Sequence, residues 1–404
     1  MSQIQLIATA TFGLEAIVGR EVKELGYENT IENSRVTFSA EKNAIPRCNL
    51  WLRSADRVLV KIGEFQALSF DELFEGTKAL PWEEWLPENA AFPVDGKSVK
   101  SKLFSVSDCQ AIVKKAIVER LKGVYHQQWF EETGPAYQVE VALLKDRVTL
   151  TIDTSGAGLH KRGYRKLSAQ APLKETLAAA MVNLSFWNPE RVLIDPFCGS
   201  GTIPIEAAMI GLNIAPGLNR EFSAENWPQL SNSLWNTARE EARDSIKQGM
   251  KLKIIGTDID ENVISMARYH RKLAGLDEQI HLQRLPLAEL KNSNKYGCII
   301  CNPPYGERIG EEKEVERLYR EMRKVFDPLE TWSFYVLSAY PQFERVFGKR
   351  ADRRRKLYNG RIECQYFQYS GPRPPKKNND GMSRLSGDEA TEEFAATEKF
   401  LVEV

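Results

Sequence analysis

The spacing of apolar positions changes several times along the chain, and each change marks an element. Residues 4–9 (IQLIAT) read as a strand, and Leu14, Ile17, Val18, Val22 and Leu25 then recur at helical spacing. An extended stretch at 35–39, a helix over 43–53 and an extended stretch at 58–65 complete a β-α-β-α-β order. That order predicts a small α+β domain over residues 1–63. In the next block, 64–155, Cys109, Ile112, Val113, Ala116, Ile117 and Leu121 form a helical stripe that reads as core. Strands at 137–144 and 148–153 follow, joined by the turn Lys145-Asp146-Arg147. From residue 175 helices at 175–186, 202–210, 261–274 and 311–326 alternate with strands at 191–195, 253–258, 280–285, 298–301 and 333–338. Strand–helix alternation predicts a doubly wound, mostly parallel α/β sheet with helices on both faces, here over 175–371. A long polar insertion carrying Trp227 and Trp235 interrupts it. Residues 372–404 are poor in apolar side chains and are expected to be a disordered tail.

Composition narrows the function classes. The 404 residues hold 55 basic and 55 acidic side chains, a net charge of zero. Any nucleic-acid binding must therefore use local patches rather than a uniformly basic coat. The six cysteines are expected to be free buried thiols, not a zinc knuckle or a redox pair. No basic residue precedes the first apolar stretch, and the charge-free segment 176–189 is too short to span a bilayer. A cytoplasmic protein with no membrane segment and no metal is expected.

Four segments carry chemistry. Residues 156–174 (GAGLHKRGYRKLSAQAPLK) hold Lys161, Arg162, Arg165, Lys166 and Lys174 and no acid, with His160 and Tyr164 interleaved. Cations with aromatic groups suit a phosphate backbone and a stacked base; a flexible basic linker reads the same way. An apolar strand runs into Asp195-Pro-Phe197-Cys-Gly199-Ser-Gly201-Thr202, which places a ligand at the carboxyl end of a parallel strand. A phosphate-binding loop is excluded because no Gly-Lys-Ser/Thr follows, and Pro204 replaces the third glycine of the dinucleotide fingerprint. After the next strand comes Gly256-Thr-Asp258-Ile259-Asp260, whose carboxylate at a strand tip can accept both hydroxyls of a ribose. The third strand tip is Asn302-Pro303-Pro304-Tyr305. Here the prolines stiffen the loop, the Asn302 side chain and the Pro303 carbonyl can accept hydrogen bonds, and Tyr305 offers a face for stacking. Two acceptors beside an aromatic ring suit a planar base with an exocyclic amine. A further run, 345–361, has eight basic residues against Asp352 alone. It reads as a phosphate contact or as a solvated loop.

DPFCGSGT, GTDID and NPPYGER resemble three motifs of class I S-adenosylmethionine-dependent methyltransferases acting on amino groups. The preceding blocks are similar to a ferredoxin-like domain (1–63) and a THUMP RNA-binding domain (64–155). LHKRGYRK and APLKETLAAA resemble the junction, a basic linker at 156–174, that precedes the catalytic domain (175–371). The whole resembles the bacterial THUMP-containing 23S rRNA guanine-N2 methyltransferases of the RlmL N-terminal-half type. The resemblance implies S-adenosylmethionine as cofactor. It would be held by Asp195, Phe197, Gly199, Gly201 and Thr202, with Asp258 on the ribose and Ile259 against the adenine. Asn302 and Pro303 would bind the target amine, Pro304 would stiffen the loop, and Tyr305 would stack on the base. Many relatives carry an acid after the next strand for the adenine amine, but here Gln283-Arg284-Leu285-Pro286-Leu287 has none. RNA contacts are expected from Lys161, Arg162, Tyr164, Arg165, Arg353, Arg354 and Arg355. The expected activity is methylation of guanine N2 in 23S rRNA. The alternatives are guanine N2 in tRNA, adenine N6 in DNA, or a non-catalytic RNA-binding assembly factor.

Overall fold

The computed structural model describes residues 3–167, 173–306 and 312–375. Residues 376–404 of the expected tail, 168–172 of the basic linker, and Glu307 and Arg308 of the third motif lie outside the described residues. The first half of the chain forms β1 (Ile4–Thr9), α1 (Glu15–Glu24), β2 (Asn29–Glu32), β3 (Arg35–Ala40), α2 (Ala44–Trp51) and β4 (Arg57–Gln66). It continues with α3 (Phe70–Lys78), β5 (Val94–Val99), α4 (Val106–Tyr125), β6 (Gln138–Leu144) and β7 (Arg147–Asp153). Its seven strands make one sheet in the order β2-β3-β1-β4-β7-β6-β5. The boundary expected after residue 63 thus falls inside β4, which pairs with β1 on one side and β7 on the other. The register of β4 against β7 shifts between Lys61 and Gly63. Lys145 and Asp146, both at positive φ, make the two-residue turn between β6 and β7, a geometry that matches strand twist.

The second half forms α5 (Glu175–Asn183), β8 (Leu193–Asp195), α6 (Thr202–Gly211), α7 (Asn232–Asp244), β9 (Ile254–Asp258) and α8 (Glu261–Leu273). Then come β10 (Ile280–Arg284), β11 (Cys298–Cys301), α9 (Glu312–Phe326), β12 (Ser333–Ser338), α10 (Phe343–Phe347), β13 (Arg353–Asn359) and β14 (Ile362–Tyr369). The strand order is β10-β9-β8-β11-β12-β14-β13, parallel from β10 to β12, with β14 and β13 antiparallel. From β8 the chain builds outward to β10 on one side, then returns to β11 on the other. That reversal opens a crevice at the carboxyl ends of β8 and β11, where open α/β sheets bind ligands.

Three apolar clusters hold these layers, and two of them cross the expected domain boundaries. Leu14, which caps α1, and Ile17 of α1 are buried with the catalytic sheet, in a cluster containing Leu357 and Tyr366. In the other direction, Phe222, Trp227, Leu230 and Trp235 of the insertion belong to the core of the N-terminal sheet. Trp227 stacks on Tyr137 with ring centroids 4.5 Å apart, and its Nε1 donates to the Ala136 carbonyl at 3.0 Å. Phe222 and Trp235 stack at 5.4 Å. The expected polar insertion is therefore a structural arm, and its polar residues are the outer side of an amphipathic α7. Cys298 and Cys301 do have C-x-x-C spacing, which corrects the expectation that no cysteine belongs to such a pair. They lie in one strand, where residues three apart point to opposite faces, and both are buried free thiols. Among the described residues no helix is long and apolar enough to cross a membrane.

If the arm is part of the core, Trp227→Ala should cost about 3–5 kcal/mol. The check is the chemical-denaturation midpoint of the full chain. A cost below about 1 kcal/mol would place Trp227 outside the core.

Candidate active site at the carboxyl ends of the parallel strands

Three adjacent strands deliver the expected motifs to one end of the sheet. β8 ends at Asp195, opposite Gly256 of β9, and β9 continues to Asp258. β11 ends at Cys301, and Asn302 follows. The Gly-rich turn bends back over the tip of β9: Cys198 N–H donates to the Thr257 carbonyl at 2.9 Å, and Gly199 N–H to Asp258 Oδ2 at 3.0 Å. Gly201 starts α6 at φ +85°, where a Cβ would sit 3.1 Å from Ala267 Cβ of α8. A side chain there would be both strained and crowded. A Cβ built on Gly199 meets no atom within 4 Å, so there is room beside the Asp258 carboxylate.

The electrostatics favour a cationic guest. Asp195 is 1 % exposed, and its Oδ1 accepts from Phe197 N–H at 3.1 Å. Burial, reinforced by the neighbouring Asp258 charge, holds its carboxyl well above the usual carboxylate range. Burial also raises Asp258, against the backbone N–H donors of Asp260 and Gly199. Neither acid has an ion-pair partner among the described residues. Ile259, by contrast, is 65 % exposed, an apolar surface beside the Asp258 carboxylate. Its carbonyl accepts from Arg284 Nε at 3.0 Å.

In the third motif Pro303 is buried, Pro304 is exposed, and Tyr305 is half-buried against the catalytic core. The Tyr305 hydroxyl donates to Asn302 Oδ1. The ring expected to face a base is therefore folded inward here, and one expected acceptor already has a donor. Burial raises the thiol pKa of both Cys198 and Cys301, so neither motif presents a thiolate.

The basic linker needs correction. Arg162 and Tyr164 are buried, and the Arg165 side chain is 14 % exposed, so none of the three is a surface contact for RNA. The Arg162 guanidinium pairs with Glu206 of α6 at 3.4 Å, with side chains 1 % and 0 % exposed. It also donates to the carbonyls of Leu159 and Arg53. Tyr164 Oη donates to Glu206 at 3.1 Å. Arg165 pairs with Glu175 at 3.3 Å and donates to the Thr202 hydroxyl at the start of α6. Buried charges need such partners, and these side chains found them within the fold. Lys161 alone of the four remains exposed. Arg353, Arg354 and Arg355 lie in β13, the sheet's edge strand, not in a loop. Arg354 pairs with Glu344 at 2.8 Å and Arg353 is exposed. Charges on an edge strand also block sheet-to-sheet pairing.

Sequence reasoning missed residues that hold the motifs in place. His270 of α8 is 0 % exposed, with Nδ1 3.1 Å from the Ser200 carbonyl in the Gly-rich turn. Its Nε2 accepts from Leu167 N–H at 3.3 Å, which makes Nδ1 the protonated nitrogen. Neither contact has a local sequence signal.

Known proteins agree with this architecture. The family described as "RMKL-like, methyltransferase domain" matches residues 162–368. The chain belongs to this methyltransferase family. An RlmL ferredoxin-like domain matches 5–59 and a THUMP domain 67–153. The Bacillus subtilis (strain 168) protein named "Putative RNA methyltransferase YpsC" is 50 % identical over 94 % of this chain and 100 % of its own. "Ribosomal RNA large subunit methyltransferase K/L" of Syntrophotalea carbinolica is 35 % identical over 91 % of this chain. The chain spans 53 % of that relative's length. Among solved structures, one from Listeria monocytogenes described as "a predicted N6-adenine-specific DNA methylase" has a TM-score of 0.89 and 54 % identity, over 92 % of this chain and 97 % of that one. SMU.472, solved as a complex with SAH, has a TM-score of 0.89 and 44 % identity, over 93 % and 100 %.

Arg162→Met leaves the Glu206 carboxylate buried without its cation and should cost about 3–5 kcal/mol. Affinity of the folded variant for rRNA should not change. Weakened RNA binding at full stability would return Arg162 to the RNA surface.

Proposed function

We propose that this RMKL-like methyltransferase transfers a methyl group from S-adenosylmethionine to the exocyclic N2 of a guanine in large-subunit rRNA. The observation that carries this reading is the convergence of Asp195, Asp258 and Asn302 on three neighbouring strand tips at the point where strand order reverses. The names of the relatives support an RNA substrate, and the THUMP match supplies a domain suited to gripping it. In this reading residues 1–63 and 64–155 hold folded RNA, residues 156–174 join them to the catalytic part, and 175–371 carry out the chemistry. Lys161 and the β13 arginines Arg353, Arg354 and Arg355 add phosphate contacts.

The site fits the cofactor. Two unpaired, poorly solvated carboxylates favour a ligand carrying positive charge, and the open space at Gly199 lies beside one of them. Asp195, Phe197, Gly199, Gly201 and Thr202 would line the methionine and ribose side. Asp258 would accept from the ribose hydroxyls, and exposed Ile259 would lie against the adenine. When bound, S-adenosylmethionine supplies an electrophilic methyl on a sulfonium centre. The protein's own task is to prepare the nitrogen. A guanine N2 lone pair is delocalised into the ring and is a weak nucleophile. Asn302 Oδ1 and the Pro303 carbonyl accept its two protons, which favours a pyramidal nitrogen with its lone pair directed at the methyl. Tyr305 must first release Asn302, and its ring is then free to lie on the flipped base. The chain's own part in this transfer would be to hold both amine protons at the Asn302 and Pro303 oxygens until one of them is released to solvent with the product.

The relative described as acting on adenine N6 in DNA makes a second reading concrete, because these two acceptors suit any exocyclic amine. The deciding assay offers labelled S-adenosylmethionine with rRNA and tRNA from cells lacking the gene, and with genomic DNA. N2-methylguanosine in large-subunit rRNA is expected, whereas label in tRNA or in DNA adenine replaces the proposed substrate. Asn302→Ala should lower turnover by at least about a hundredfold while cofactor affinity stays unchanged. Equal loss of both would move Asn302 into the cofactor site.

Asp258→Asn should weaken cofactor binding by roughly ten- to a hundredfold, the worth of a charged hydrogen bond. Calorimetry reads this directly, and an unchanged affinity removes Asp258 from the cofactor site. The same variant tests the electrostatics. The Asp258 pKa is raised on folding, so its contribution to stability is full below the unfolded value and lost as pH rises through the folded one. The variant should therefore lose less stability than the wild type over that rise.

A further inference from the structure

The loop from Asn302 to Tyr305 has few free torsions. Its two proline rings fix φ at 303 and 304, and each residue preceding a proline, Asn302 and Pro303, is held to extended ψ. The first torsion beyond these restraints is ψ of Pro304, which turns the Pro304 carbonyl and sets the direction in which the chain leaves toward Tyr305. One side chain holds that carbonyl: Tyr319 of α9, whose Oη lies 2.8 Å from Pro304 O.

The proton inventory gives this contact a direction. Tyr319 has one hydroxyl proton and Pro304 O can only accept, so that proton lies between them. Ser338 Oγ, at the end of β12 and 3.0 Å from the same phenol, must then donate to it. Ser338 Oγ in turn accepts from Tyr340 N–H at 3.1 Å. The chain of donors runs from Tyr340 through Ser338 and Tyr319 to Pro304, and ties the tip of β12 to the loop that follows β11. Packing alone does not require the hydroxyl. Tyr319 belongs to the buried stripe Val315, Tyr319, Met322 and Phe326, and its ring meets Phe343 edge-on at 4.9 Å. A phenylalanine would fill that place.

We propose that Tyr319 is a positioning residue for methyl transfer, its phenol fixing the Pro304 carbonyl and thereby the arrangement of Asn302, Pro303 and Tyr305. This rests on the proposed role of Asn302 as amine acceptor. It adds a residue that touches neither substrate nor cofactor.

The test is Tyr319→Phe in the full chain, with Ser338→Ala as a second variant that keeps the phenol but removes its orienting donor. For Tyr319→Phe, kcat should fall at least about tenfold, with KM for RNA and affinity for S-adenosylmethionine near the wild-type values. Ser338→Ala should show a smaller loss of the same kind. Unchanged kcat in Tyr319→Phe, or a parallel loss of kcat and cofactor affinity, overturns the inference. Hydrogen exchange of the Tyr305 and Gly306 amides gives a readout that needs no substrate. It should quicken in Tyr319→Phe, and unaltered exchange also overturns the inference. If Asn302→Ala remains fully active, the reading of the amine site fails; if it is inactive while Tyr319→Phe turns over normally, only the positioning role fails.

Discussion

Glu206 has no exposed surface, and the junction between the two sheets is organised around its carboxylate. Arg162 and Tyr164 reach it from the linker, and Arg162 also holds the Arg53 carbonyl just beyond α2. Burying an ion pair is costly in desolvation, and the return depends on geometry that leaves few polar atoms unsatisfied. The arrangement therefore tolerates little sliding between the linker, the N-terminal sheet and α6. Nearby, Glu21 of α1 accepts from the backbone of Arg53 and Ser54 and from the Ser54 hydroxyl, which ties α1 to the same seam. Since α6 begins at the Gly-rich turn, a contact that fixes α6 also fixes that turn relative to the N-terminal sheet.

The apolar contacts repeat this logic in both directions. α1, with its cap, lends Leu14 and Ile17 to the catalytic core, and the arm lends Trp227 and Trp235 to the N-terminal core. Each half completes its interior with side chains from the other. Large aromatic rings bury much area at little entropic cost, so a few of them suffice. Under the proposed function, such a shared core would keep the part that grips RNA in register with the part that receives a base.

The legible parts of the sequence were those whose signal is local. The parallel strands β8, β9, β11 and β12 are short apolar runs between helical patterns, and the three motifs sit at strand ends, so the fold class and the meeting of the motifs at one end of the sheet could be read. The opposite held where meaning comes from a distant partner. β2 and β5 are edge strands with no fully buried residue, and their sequences NTIE and VDGKSV show no regular apolar alternation. β13 reads as a charge run because its arginines line a sheet edge. Arg162, Tyr164 and Arg165 look like an RNA-binding stretch until Glu206 and Glu175, up to 44 residues away, are seen to claim them. Local composition does not distinguish a cation that awaits a phosphate from one already paired in the interior. Tyr319 was hidden for the same reason, since its stripe reads as core and its hydroxyl matters only through Pro304.

Under the proposed function, the amine site raises a physical difficulty that the identity of residue 305 answers. An acceptor reserved for a substrate amine must be shielded from water in the reacting complex, yet a buried acceptor without a donor is costly. In this structure the Tyr305 hydroxyl supplies the donor to Asn302 Oδ1. In that reading, entry of a base exchanges one donor for another, and the half-buried Asn302 oxygen keeps a donor throughout. A phenylalanine would offer the same stacking face without this exchange. In that reading the Tyr305 hydroxyl serves the state before the substrate arrives, and its ring the state after.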